Sequence, residues 1–228
     1  MKIGGFMKLT LLDYPNHVAC LIFTQGCNMK CPYCHNSSLI KSTSNKLFSE
    51  EEIFTYLEKR KKILDGVSIS GGEPLIQKDL KEFIKKIKEL GLDVKIDTNG
   101  SMPEVLKELI KEKLVDYVAM DIKNSFKNYS QATGVSNDTK KIKESIKVLE
   151  ESNTLYEFRT TVVKEIHTID DIKEILKMIN KKSTYYIQNF NLSEDVPNKH
   201  LHGLEEKELL KWQKELERKY PNINFRDI

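Results

Sequence analysis

Gly66-Val67-Ser68-Ile69-Ser70 runs directly into Gly71-Gly72-Glu73-Pro74. A short run built on Val and Ile reads as a β-strand, and the glycine-rich polar stop after it reads as a loop. The same sequence of strand and polar stop recurs on either side. Upstream lies Val18-Ala19-Cys20-Leu21-Ile22-Phe23, then a helix near residues 50–64 opened by Ser49 and Glu52, the two ends of a capping box. Downstream, Leu80, Phe83, Ile84, Ile87 and Leu90 recur at helical spacing until Gly91, and Asp93-Val94-Lys95-Ile96 gives a third strand. Val115–Met120, Tyr156–Val163 and Tyr185-Tyr186-Ile187 are the fourth, fifth and sixth strands. Between them, Val105, Leu106, Leu109 and Ile110, then Ile142, Ile146 and Leu149, then Ile172, Ile175, Leu176 and Ile179 mark helical faces.

Six strands alternating with helices predict an α/β fold with a parallel sheet, because parallel neighbours need crossovers of this length. The polar residues choose the kind of sheet. Asp97-Thr98-Asn99-Gly100 ends the third strand, Asp121 and Lys123 follow the fourth, Arg159 lies in the fifth and Gln188-Asn189 ends the sixth. Reactive side chains at every C-terminal strand end are the layout of a barrel. Six units instead of eight predict a partial, open (β/α)6 TIM-like barrel. No linker-like stretch divides the chain, so residues 1–228 are expected to form a single domain. Its loop 24–36 follows the first strand, and a helix and strand over 204–228 end it.

The 228 residues carry 37 basic and 34 acidic side chains, a balance that argues against nucleic acid or a membrane surface as partner. The run Lys59-Arg60-Lys61-Lys62 reads as a solvated helix face. Met1–Phe6 lacks the apolar stretch of a signal peptide and no segment could span a bilayer, so a cytoplasmic protein is expected.

Three of the four cysteines fall in Cys27-Asn28-Met29-Lys30-Cys31-Pro32-Tyr33-Cys34, spaced C-x3-C-x2-C, in the loop after the first strand. A disulfide framework would spread its cysteines along the chain. Three thiolates in one loop can each take a corner of a cubane cluster and leave one iron without a protein ligand. A zinc site is the alternative, with His35 as an awkwardly placed fourth ligand, and so is a chance grouping of core thiols. An electron-carrier cluster would need Cys20, which lies mid-strand and reads as a buried apolar residue.

With Gly71-Gly72-Glu73-Pro74 one strand later, this cysteine loop resembles the signature of the radical S-adenosylmethionine (SAM) superfamily. Leu12-Asp13-Tyr14-Pro15, Phe23-Thr24-Gln25-Gly26-Cys27-Asn28 and Cys34-His35-Asn36 are similar to the activating proteins of anaerobic ribonucleoside-triphosphate reductase. Pyruvate formate-lyase activators share much of this pattern. The resemblance implies a [4Fe–4S] cluster on Cys27, Cys31 and Cys34, reductive cleavage of SAM, and a glycyl radical installed on a partner enzyme. The partner it favours is anaerobic ribonucleotide reductase, with flavodoxin or ferredoxin as electron donor. A small-molecule radical SAM enzyme, such as 7-carboxy-7-deazaguanine synthase, and a non-catalytic metal module are the rivals.

For the other site residues the resemblance implies specific roles, each with a plainer reading beside it. Gly71 and Gly72, lacking Cβ atoms, would let backbone approach the SAM amino group with Glu73 in support, or form a simple turn. Asp97 and Asp121, on neighbouring strand ends, would hold a monovalent cation beside the SAM carboxylate, or merely cap the helices that follow. Arg159 would reach SAM from within an apolar strand, or form a structural ion pair. Tyr33 would pack on the cluster or the adenine, or only on the core. Lys123 is a lesser candidate. Formate-lyase activators carry a histidine after the sixth strand, whereas Ile187-Gln188-Asn189-Phe190-Asn191 has none; that favours the reductase branch. His200 and His202 lie too far along to replace it.

Overall fold

Alternation along each strand decides how this sheet is built. Val67, Ile69, Val94, Ile96, Val118, Met120, Phe158 and Ile187 turn to one side, fully buried against helices. Ser68, Lys95, Asp97, Asp121, Glu157 and Arg159, the residues between them, turn to the other. One face of the sheet is therefore the apolar core, and the opposite face is polar even where it is buried. The computed structural model describes residues 1–40, 47–136 and 138–226.

Eight strands follow one another in space as in sequence: β1 (Ile3–Thr10), β2 (Ala19–Thr24), β3 (Gly66–Gly71), β4 (Asp93–Thr98), β5 (Tyr117–Asp121), β6 (Leu155–Val162), β7 (Tyr185–Asn189) and β8 (Ile223–Arg226). From β2 to β8 every neighbouring pair is parallel. The helices are α1 (Glu50–Arg60), α2 (Leu80–Glu89), α3 (Pro103–Lys111), α4 (Tyr129–Thr133), α5 (Thr139–Glu150), α6 (Ile169–Met178) and α7 (Glu206–Glu217). Residues from β3, β4, β5, β6 and β7 line one cavity, so the sheet curls, yet β1 and β8 do not pair. The barrel is partial and open, as the sequence led us to expect.

Two details differ from the sequence reading. β1 was not anticipated; it is an antiparallel edge strand on β2, with irregular register at two places. Its Gly5 lies under the Phe23 ring, 3.1 Å from where a Cβ would be, and Met7, Lys8 and Leu9 are all exposed. Neither strand alternation nor β-branched density survives such a stretch. The short C-terminal strand, which the six-unit count left out, joins the sheet as β8. The last two residues of the 204–228 stretch lie outside the described residues. The Ser49–Glu52 capping box forms in both directions (3.1 and 2.8 Å), although α1 stops at Arg60. Among the described residues no helix is long and apolar enough to cross a membrane.

Candidate functional site

The loop after β2 is shaped by hydrogen bonds along its whole length. Gly26 takes a positive φ of 99°, donates to the Leu39 carbonyl at 2.7 Å and accepts from the Glu73 amide at 2.8 Å. Lys30 donates its amide to the Thr133 carbonyl, and Asn198 donates to the Pro32 carbonyl. The Asn28 side chain lies between Asn99 and Ser101, at 2.9 and 2.7 Å. Held in this way, Cys27, Cys31 and Cys34 all line one cavity of about 380 Å³ at the C-terminal ends of the strands. That volume falls within the usual ~300–1,000 Å³ of cofactor pockets.

Tyr33, Gly71, Gly72, Glu73, Asp97, Asp121 and Arg159 line the same cavity, so every site residue read from sequence is brought to it. Their local partners refine the picture. The two glycines make a close approach, but to the protein's own backbone. A Cβ on Gly72 would lie 1.9 Å from the Gly26 oxygen, and one on Gly71, where φ is +115°, 2.3 Å from the Thr24 nitrogen. They let β3 lie flush against the root of the cysteine loop. Glu73 is buried, with Oε1 accepting from the Thr98 hydroxyl (2.7 Å) and the Leu75 amide (3.1 Å), and Oε2 from the Asn99 amide (2.7 Å). Burial raises its pKa to about 7 against the pull of these bonds.

Asp97 and Asp121 converge through Arg159. Its Nε donates to Asp121 at 2.9 Å and its Nη1 lies 3.6 Å from Asp97. Lys95 pairs with Asp97, and Lys123 with Asp121 at 2.9 Å. Burial, the largest single influence, would raise both carboxyl pKa values, but the cations together outweigh it: Arg159 with Lys95 at Asp97, and Arg159 with Lys123 at Asp121. The Asp121 carboxyl is held at about 2 and that of Asp97 below its ordinary value. Protein cations thus already offset the like charges beside which a monovalent cation was expected.

The bland readings fare unevenly. Arg159 does form an ion pair, yet it also lines the cavity. Neither aspartate caps a helix: Met102 precedes α3 and Asn128 precedes α4. Cys20 is fully buried among the helix-facing core residues and its thiol is pushed up to about 12, so it offers no ligand to the loop. The His35 ring stacks on Phe190, with Nε2 bonded to the Asn191 carbonyl at 2.7 Å.

Sequence reasoning passed over several residues here. Asn99 stands inside the quoted Asp97–Gly100 motif, and its Nδ2 approaches the Cys27 sulfur at 3.9 Å. His167 fixes the end of β5: Nε2 donates to the Lys123 carbonyl at 2.8 Å while Nδ1 accepts from the Val163 amide at 3.0 Å, and the ring meets Tyr33 edge-on. No local signal marks it. Asp13 also lines the cavity, carried by the Leu12–Pro15 stretch.

A family model, described as the radical SAM superfamily, matches residues 21–179. The chain belongs to the radical SAM superfamily. Radical SAM enzymes use a [4Fe–4S] cluster and SAM, and these are its cofactors. A Methanocaldococcus jannaschii protein named "Putative glycyl-radical enzyme activating enzyme" is 41% identical over 193 residues, covering 82% of this chain and 79% of that one. The pyruvate formate-lyase-activating enzyme of Clostridium pasteurianum is 34% identical over 54% of this chain and 52% of its own. Among solved structures, a radical SAM methyltransferase from Sphaerobacter thermophilus superposes with a TM-score of 0.72 at 12% identity, covering 93% of this chain and 67% of that one. Streptococcus suis SuiB bound to its precursor peptide SuiA gives 0.70 at 18% identity, covering 90% of this chain and 48% of that one. These two share the fold.

The residues present fit both cofactors of radical SAM chemistry. Three thiols face one cavity, and burial pushes those of Cys27 and Cys31 up to about 11 and raises that of Cys34, so loading iron displaces their protons. The Tyr33 hydroxyl, fully enclosed in the cavity wall, has no hydrogen-bond partner among the described residues. Arg159 and Lys123, cations suited to a carboxylate, line the same cavity.

Proposed function

We propose that this chain activates a glycyl radical enzyme, with anaerobic ribonucleoside-triphosphate reductase as its partner. The observation that carries this reading is the shared cavity, where a three-cysteine loop meets the polar ends of five strands beside a barrel left open between β1 and β8. Cys27, Cys31 and Cys34, which line the cavity together, would hold the cluster, and the bound group would supply the one electron for reductive cleavage of SAM from which hydrogen abstraction at a glycine follows.

The chain's own residues set the conditions for that step. Arg159 and Lys123 receive the SAM carboxylate or ribose oxygens, and Asp97 and Asp121 fix the direction in which those two cations point. Glu73 and Asn99 hold the strand ends at the distance the cysteine loop requires. Tyr33 and Met29, both buried, keep water from the cluster side of the cavity. The open edge admits a peptide loop, which a closed barrel would not.

Two features support the reductase over formate-lyase. Gln188 lines the cavity on β7 where the formate-lyase activators carry their histidine nearby. His202 turns outward to Glu165 at 2.7 Å, and neither it nor His200 lines the cavity. Reduced protein, SAM and the reductase should give a carbon-centred doublet in electron paramagnetic resonance, lost when the reductase's C-terminal glycine is replaced. A strong doublet on pyruvate formate-lyase with none on the reductase would assign the chain to the other branch. SAM cleavage with no radical on either protein would point to a small-molecule substrate.

A further inference from the structure

Strand β4 carries an ammonium to the place where a metal cation was expected. Lys95 and Asp97 are two residues apart on it, so both turn to the inner face of the sheet. Lys95 is 3% exposed, and its Nζ pairs with Asp97 Oδ1 from the side away from the cavity. Arg159 brings Nη1 to within 3.6 Å of the same oxygen and donates its Nε to Asp121 Oδ1 at 2.9 Å. Lys123 Nζ donates to the other Asp121 oxygen, Oδ2, also at 2.9 Å. Lys95, Asp97, Arg159, Asp121 and Lys123 thus form one chain of alternating charge. Strand register builds it: Asp121 stands beside Arg159, and Asp97 stands beside Ala119, a side chain too short to separate it from the guanidinium.

Three cations and two carboxylates leave this chain with one net positive charge. Entry of a carboxylate brings it to neutrality. Entry of a metal cation raises it to two, in a wall where none of the five side chains is more than 29% exposed, and unpaired buried charge is costly. The oxygens are also occupied. Both Asp121 oxygens and Asp97 Oδ1 already face protein cations, and Glu73 accepts from Thr98, Leu75 and Asn99. A metal ion between the aspartates has to displace one of these cations, and Lys95, sealed from solvent, has no water to retreat into. The two aspartates therefore do not fit a metal cation. Arg159 and Lys123 line the cavity, where a ligand can reach them, and Lys95 does not. By neutralising Asp97 from behind, Lys95 leaves the guanidinium available to an incoming carboxylate.

We propose that the SAM site of this chain operates without a monovalent cation, because the Lys95 ammonium supplies from inside the barrel the positive charge that such an ion would bring. Lys95 is a positioning residue: it touches no ligand and acts through Asp97 on Arg159. The inference rests on the radical SAM reading.

The test measures SAM affinity by calorimetry on cluster-loaded, unreduced protein in potassium, ammonium or tetramethylammonium chloride at one ionic strength. The parent should bind SAM equally in all three, within about twofold. A gain of about tenfold in potassium over tetramethylammonium would overturn the proposal without any variant. Lys95→Ala removes the ammonium and opens space beside Asp97 for a small cation. Its affinity should fall by about tenfold in tetramethylammonium and recover in potassium or ammonium. Lys95→Met, which fills that space without charge, should lose affinity in all three salts. Parent-like binding by Lys95→Ala in every salt would overturn the proposal. So would a fall that no cation restores, since the side chain would then only support its strand. Thermal melts of cluster-free protein give a second reading: potassium should raise the midpoint of Lys95→Ala and leave the parent unmoved, and the reverse would count against the proposal. If the parent neither binds SAM nor cleaves it with dithionite, the radical SAM reading falls, and the proposal with it.

Discussion

At the scale of single residues, the site is governed by what each polar group holds in place. Replacing Cys27, Cys31 or Cys34 by Ala should take iron from about four per chain to almost none, whereas Cys20→Ala should retain it; iron and sulfide analysis decides. Gly72→Ala drives a methyl into the Gly26 carbonyl, next to Cys27, so both thermal stability and cluster content should fall. A variant that only weakened SAM binding would show that the glycine serves the ligand and not the loop. Asp121 yields a pH dependence. Its folded pKa of about 2 lies below the ordinary 3.8, so its contribution to stability is complete above about pH 4 and is lost as pH falls toward 2. Removing the guanidinium with Arg159→Met should lower stability at neutral pH and flatten the decline between pH 4 and 2, read by denaturant unfolding. Much of this residue list was legible in sequence, because strand-end motifs keep reactive side chains close together in the chain. The Asp–Arg–Asp bridge was not, because Arg159 meets Asp121 only through strand pairing across 38 residues.

At the scale of elements, the cysteine loop is clasped by the segment after β7. Ser38 donates both its amide (3.0 Å) and its hydroxyl (2.8 Å) to Asp195, Ser37 bonds the Asp195 carbonyl, and Asn198 donates to Pro32. Phe190 supports His35 from the same side. Asp195→Ala removes the two Ser38 bonds, a loss of about 1–2 kcal/mol. The loop should then release its cluster faster on exposure to air, measured as bleaching of the visible absorbance, with SAM affinity little changed. Equal bleaching rates would show the clasp to be incidental. Glu73 ties β3 to β4 in the same manner. In Glu73→Gln an NH2 replaces one of two oxygens that both accept from the protein, so unfolding should become easier by about 1–3 kcal/mol. Helices and parallel strands were readable because their apolar spacing is local. The clasp escaped notice because Asn191–Asn198 has no periodicity and gains its role only from the loop it meets.

For the whole molecule, the polar inner face has a second centre below the cavity. Glu157, nearly sealed from solvent, accepts two bonds from Arg226 on β8 (3.2 and 3.1 Å) and one from the Tyr117 hydroxyl (2.8 Å). Arg226 also lies over the Tyr186 ring at 3.5 Å. The last strand is thereby pinned to the barrel's interior. Arg226→Ala leaves a buried carboxylate without its cation and should cost roughly 3 kcal/mol, seen as a lower urea midpoint; Arg226→Lys should recover part of it. A midpoint within error of the parent would mean that β8 is held by its backbone pairing alone. Charge shows the same dependence on scale. The chain is nearly neutral as a whole, yet its folding sorts four lysines without a salt-bridge partner among the described residues onto one groove and two cations, Lys123 and Arg159, into the cavity.

The sequence by itself determined the α/β architecture, the open parallel barrel and the chemistry of its strand ends. Each of these depends on spacing within a few residues: hydrophobic period, a cap, three thiols in one loop. The superfamily was legible for the same reason, since C-x3-C-x2-C and Gly-Gly-Glu-Pro are contiguous motifs. Only the tertiary structure decided that β1 is a strand, that Gly71 and Gly72 lie against Thr24 and Gly26 at the root of the cysteine loop, and that Arg159 joins the two aspartates. It also decided that α3 and α5 bring their lysines together. Those facts depend on which distant segments meet, and contact between strands, loops and helix faces far apart in the chain leaves no local pattern in the residues that make it.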